Sequence, residues 1–150
     1  MTMPRTSPIR LRTLGPVSVD PPINGARRLA VLVYLALARP RGLHSRDTLI
    51  GLLWPEADQA GGRHSLRNTL HAIRQALGAD VIVASGDALV GVDPLRIDCD
   101  ALALEADLAA GRFEDAIVRY HGELLQGFYV SEAAEFERWL QDRQKLRLIA

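Results

Sequence analysis

From Gly62 to Gly78 the chain reads GRHSLRNTLHAIRQALG, and the spacing of its apolar residues leaves little freedom in how this stretch folds. At about 100° per residue, Leu66, Leu70, Ile73 and Leu77 fall in one narrow arc, the i, i+4, i+7, i+11 pattern of a helix packed on one side. Opposite them lie His64, Arg67, Asn68, His71 and Gln75, with Arg63 and Arg74 at the border between the two faces. The remaining flank, Ser65, Thr69, Ala72 and Ala76, is small throughout, so a neighbouring helix can approach closely there. No Asp or Glu interrupts the polar row, whereas an ordinary surface helix mixes acids with its arginines at i, i+4. These side chains suit a DNA groove: Arg bonds bidentately to guanine, Asn and Gln to adenine, and border arginines reach phosphate. The stretch therefore reads as a recognition helix, set against the plainer reading of a solvated basic face.

The elements around it support a mainly helical fold with small β elements. Residues 9–14 and 17–19 alternate apolar and polar before Gly15-Pro16 and Asp20-Pro21-Pro22, as in a small antiparallel sheet. Residues 26–39 carry Leu29, Leu32, Val33 and Ala36 on one helical face and stop at Pro40. Ser45 is a natural N-cap, with Asp47 in the first turn; Leu49, Leu52 and Leu53 then give a short second helix ending before Pro55. Trp54 reads as a cover for the core. A loop over 55–62 leads into the polar-faced helix, and residues 81–84 and 89–92 flank Ser85-Gly86-Asp87 as a hairpin. Two helices, the polar-faced helix and a hairpin make a winged helix-turn-helix domain, placed at 1–95.

Past Asp93-Pro94 strand signals fade and the charge reverses. Residues 1–97 hold twelve arginines against seven acids, a surplus of five, and residues 98–150 hold six basic residues against eleven acids, a deficit of five. The basic half is the candidate for a polyanion. Residues 96–150 read as helical: Asp100 caps a helix to about residue 110, Gly111 breaks it, and residues 114–120 resume. Gly127 bends a connector over 123–130, and a last helix from Ser131 places Phe136, Trp139, Leu140 and Arg143 on one face. The run from Gly111 to Tyr120 is similar to half a tetratricopeptide-type repeat, so the second domain reads as TPR-like and incomplete.

Several classes are excluded. A composition of 48% hydrophobic and 24% charged residues is that of a globular chain rather than a disordered one. The longest apolar run, 29–38, is about half of what a bilayer requires. The first ten residues show no secretory leader, so a cytoplasmic location without membrane partners is expected. Cys99 is the single cysteine, which rules out an intrachain disulfide or a Cys-based zinc cluster, and it reads as a half-buried thiol. His64 and His71 share a face, yet two imidazoles without a third protein ligand make a poor metal site. Without a Gly-rich phosphate loop or a nucleophile with a base, no catalytic residue, metal or cofactor is expected, and the chain does not read as an enzyme.

Together, HSRDTLIGLLWP, RHSLRNTLHAIRQALG and DCDALALEADLAAGRFEDAIVRYHGELLQGFYV resemble the SARP-type bacterial transcriptional activators from about Ile9 onward. The family's Arg-Asn-x-Leu followed by Leu-Arg-x-Ala-Leu-Gly is matched by Arg63, His64, Leu66 and residues 73–78, with His64 departing from the commoner Asn. The resemblance implies an OmpR-type winged helix joined to a bacterial transcriptional activator domain, with double-stranded DNA as partner. It further implies protomers on promoter-proximal direct repeats, RNA polymerase as a second partner, and a homodimer. Base-reading candidates are His64, Arg67, Asn68, His71 and Gln75; phosphate candidates are Arg46, Arg63, Arg74, Ser85 and Gly86. Because the family's activator domain continues past the point where Ala150 ends this chain, the reading expects a fragment or completion by self-association. The rival reading is a protein-interaction module whose winged helix no longer binds DNA.

Overall fold

The computed structural model describes residues 8–149, with side chains through residue 145; the stretch read for a leader, residues 1–7, lies outside them. Helices α1 (Ala26–Leu37), α2 (Arg46–Leu53) and α3 (Gln59–Leu77) follow one another, as the periodicity requires. Ser45 Oγ accepts from the backbone N–H groups of Asp47 and Thr48, which fixes the start of α2. The apolar stripe of α3 is buried at Leu66, Leu70, Ile73 and Leu77, and each such side chain contributes about 1.5–3 kcal/mol by leaving water. Its small flank packs on α1, where Thr69 is buried.

Helix α3 begins three residues earlier than expected. Asp58 Oδ1 accepts from Gly61 N at 2.7 Å and so caps the helix before the two glycines. Gly62 belongs inside it for a packing reason: a Cβ there would stand 2.5 Å from Ile50 Cγ2, so α2 and α3 cross as closely as they do only with glycine at that point.

Strands β1 (Ile9–Arg12) and β2 (Ser18–Asp20) pair antiparallel as expected, while β3 (His44–Ser45) joins the hairpin of β4 (Ile82–Ser85) and β5 (Leu89–Val92) in the order β3-β5-β4. Gly86, with φ +61°, makes the hairpin turn in a conformation that an L side chain rarely adopts. Two strands were not foreseen, β3 at the cap of α2 and one in the second half. β6 (Ile97–Cys99) pairs parallel to β1, Ile9 opposite Ile97 and Leu11 opposite Cys99, beyond the point where strand signals fade. Cys99 is accordingly fully buried rather than half-buried.

Helices α4 (Asp100–Ala109), α5 (Phe113–Arg119) and α6 (Ala134–Ile149) complete the chain. Asp100 opens α4, but its carboxylate turns back to the first strand: it accepts from Thr13 N at 2.8 Å, Thr13 Oγ at 3.0 Å and Leu14 N at 3.0 Å. A single apolar core runs through both halves, from Leu11 and Leu32 through Leu53 and Leu70 to Leu124, Phe136 and Leu140. Trp139 of α6 lies 5.0 Å from the Tyr34 ring of α1, and Arg27 bonds both Leu53 O (2.8 Å) and Ser131 O (2.7 Å). Trp139 thus supplies apolar contact between the halves, with Phe128 and Phe136 packed behind it in the shared core, whereas Phe113 is 60% exposed. No described helix is long and apolar enough to cross a membrane.

Candidate nucleic-acid interface

The solvent-facing side of α3 carries every polar residue of the expected row. His64, Arg67, Asn68, His71 and Gln75 are exposed, as is Arg63, and Arg74 is half-buried. His64 and Asn68, one turn apart, share a hydrogen bond of 3.1 Å between Nε2 and Nδ2. This pair, with His71 and Gln75, forms a ridge along the outermost line of the helix, free of acids.

A cleft of about 740 Å³ opens on one flank of the ridge. Its walls bring together Arg63, Arg67 and Arg74 from α3, Arg46 from the first turn of α2, and Asp87 and Ala88 in the turn of the hairpin. The arrangement follows from local structure. Positions 63, 67 and 74 recur at i, i+4 and i+11 and lie within about 40° of one another on a helix. Arg46 is held opposite them because its backbone N–H donates to Ala88 O at 2.8 Å, which ties α2 to the hairpin beside the pairing of Ser45 with Leu89. Arg46 Nε is buried without a hydrogen-bond partner among the described residues. Ile50, Leu66 and Leu70 also line the cleft, and an apolar surround of this kind strengthens the field of the four guanidiniums. Two carboxylates, Asp47 and Asp87, stand at its edge, and among the described residues neither pairs with these arginines.

Arg67 therefore sits beside Arg63 and Arg74 on the cleft flank rather than on the ridge with Asn68. Ser85 and Gly86, exposed on the β4 side of the same turn, do not line the cleft. On the opposite flank a second cleft, about 620 Å³, is bounded by the first turn of α1, Trp54, and Ser65, Asn68 and Thr69 of α3. The signal for it in the sequence is the Arg27-Arg28 doublet just before the apolar run 29–38.

Just before the cap of α2, His44 packs edge-on against Tyr34 at 5.4 Å. Burial lowers its pKa below the ordinary 6.5, and the nearby Arg41 lowers it further; burial also raises the Tyr34 hydroxyl. Sequence patterning gave His44 no role, since a single histidine before an N-cap has no period.

No protein-family model matches this chain, and no curated protein matches it by sequence. Among solved structures, Mycobacterium tuberculosis EmbR, determined in complex with a low-affinity phosphopeptide, is similar with a TM-score of 0.62 at 23% identity. The likeness covers 94% of this chain and 43% of EmbR, so the chain spans less than half the length of that protein. At this level of identity the likeness is one of fold.

Proposed function

We propose that this chain is a sequence-specific DNA-binding transcriptional regulator of the SARP type. In this reading residues 1–95 form a winged helix, with α3 as the recognition helix and the β4–β5 hairpin as the wing, and residues 96–150 form the first part of a TPR-like bacterial transcriptional activator domain. The observation that carries it is the cleft of Arg46, Arg63, Arg67 and Arg74 beside an acid-free ridge, because four guanidiniums left without carboxylate partners are suited to a polyanion. The fold likeness to EmbR, a regulator of that family, supports the same reading.

With α3 in the major groove, His64, Asn68, His71 and Gln75 face base edges. Arg67 lies where the ridge meets the cleft, and Arg63, Arg74 and Arg46 meet phosphate together with the hairpin turn at Ser85 and Gly86. Binding to promoter-proximal direct repeats, contact with RNA polymerase and pairing of protomers complete the proposal. Selection of bound fragments from random duplex DNA, followed by titration at several salt concentrations, tests it. An enriched motif and a log–log salt slope of about −0.9 per phosphate contact are expected. Absence of any enriched motif, together with salt-independent binding of another protein, would instead favour the interaction module, for which the exposed Phe113, Ile117 and Val118 of α5 offer an apolar surface.

A further inference from the structure

We propose that the cleft on the far flank of α3 is a second phosphate-binding site, with Arg28 as its cation and Ser65 as a neutral hydrogen-bond donor, so that α3 is held in the groove from both sides. The inference rests on the DNA-binding reading and adds a contact which the charge pattern of α3 did not assign. A duplex presents two backbones, one along each edge of a major groove about 12 Å wide. A helix lying in that groove meets one backbone on each flank. The four arginines of the first cleft serve only one of them.

On the other flank, Ser65 and Asn68 project from α3 about 160° and 100° around the helix from Arg67, and the second cleft gathers them with Arg28 and Trp54. No carboxylate lines this cleft, in contrast to the first, which has Asp47 and Asp87 at its edge. Its two arginines differ in state. Arg27 is committed to Leu53 O and Ser131 O and braces the fold, whereas Arg28 is exposed and has no ion pair or side-chain hydrogen bond among the described residues. The stem of Arg28 lies back over Gly25, where an added Cβ would stand 3.6 Å from Arg28 Cδ. Arg28 thus stands among the residues that line the cleft.

The test compares Arg28→Ala and Arg28→Glu with wild type, each as the full 150-residue chain, on a motif obtained by selection and on random duplex DNA, together with phosphate-ethylation interference on both strands. Loss of one contact lowers the salt slope by about 0.9, which corresponds to about eightfold weaker binding at 0.1 M salt. Arg28→Ala is expected to show this loss equally on selected and random DNA, with interference disappearing at phosphates on one strand only. Arg28→Glu should weaken binding further, and circular dichroism should show both variants folded. An unchanged slope and an unchanged two-strand interference pattern in a folded Arg28→Glu variant would overturn the second site while leaving the DNA-binding reading intact. Failure of the wild-type chain itself to bind duplex DNA would overturn that reading, and this proposal with it.

Discussion

The arginines that line the cleft beside α3 and those gathered on the carboxylates of α4 are in opposite electrostatic states. Around α4 they are consumed internally: Asp107, almost fully buried, takes Arg119 Nε at 2.6 Å and Arg112 NH2 at 3.0 Å, and Glu105 takes Arg41 at 2.6 Å and Arg39 at 3.4 Å, both from the segment after α1, with Arg143 at 3.4 Å. The hydrogen bond from Arg119, followed by that from Arg112, holds the Asp107 carboxyl below its usual range. Around α3, by contrast, Arg46, Arg63, Arg67 and Arg74 converge on one cleft with no ion pair among the described residues. Like charges brought together without counter-charges repel each other, an arrangement that an external anion relieves. One region thus uses arginine to close the fold, and the other leaves it without a carboxylate partner among the described residues.

The largest expected effect tests whether these differently charged regions share one core. Phe136→Ala removes a fully buried ring that packs against Phe128 and Trp139. It should lower stability by about 3–5 kcal/mol in a single denaturant transition followed both by Trp fluorescence and by circular dichroism. Two separated transitions would break the picture of a common core.

The next effect lies on the exposed side of α3. Asn68→Ala should cost about 1–3 kcal/mol on the selected site and much less on random DNA, as for loss of a base contact. Arg67→Ala should do the same if Arg67 reads a base from its place at the edge of the cleft. Equal weakening of all DNA by Arg67→Ala in electrophoretic titrations would assign it to phosphate alongside its two neighbours.

A smaller effect separates free arginines from paired ones. Arg74→Ala should reduce the salt slope by about one unit on any duplex. Arg138→Ala, which breaks an exposed pair with Glu135 at 2.7 Å, should leave the slope unchanged and alter stability by about 1 kcal/mol at most. If both variants shift the slope alike, the contrast between the regions is wrong.

The smallest effect is a pH dependence. His44 binds its proton less readily in the folded state, so the unfolded chain is the better proton binder and stability falls as pH drops through the ordinary value of 6.5. The depressed Asp107 carboxyl acts in a different window, its contribution being lost only as pH falls below 3.8. Urea denaturation between pH 7.5 and 5.5 should therefore show a decline that His44→Gln flattens and that changes at Asp107 leave in place.

Much of the fold was legible because periodicity within an element records the direction of each side chain. The Leu66, Leu70, Ile73, Leu77 stripe, the Ser45 cap and the hairpin turn at Gly86 all depend on neighbours a few residues away, and each formed where the pattern placed it. The early start of α3 was missed because residues 55–62 read as a loop, while the crossing with Ile50 that accommodates Gly62 joins separate helices.

By itself, then, the sequence determined the order of helices, the wing-like hairpin and the acid-free polar face of α3. Only the tertiary structure decided that Arg46 faces Arg63, Arg67 and Arg74, that Arg28 stands across α3 from them, and that Asp100 reaches back to Thr13 and Leu14. It also decided that β6 lies beside β1 and that Tyr34 meets Trp139. These contacts join residues remote in the chain, 87 positions apart for Thr13 and Asp100. No local repeat records such a partnership, because it is fixed by how buried faces fit together when the core closes.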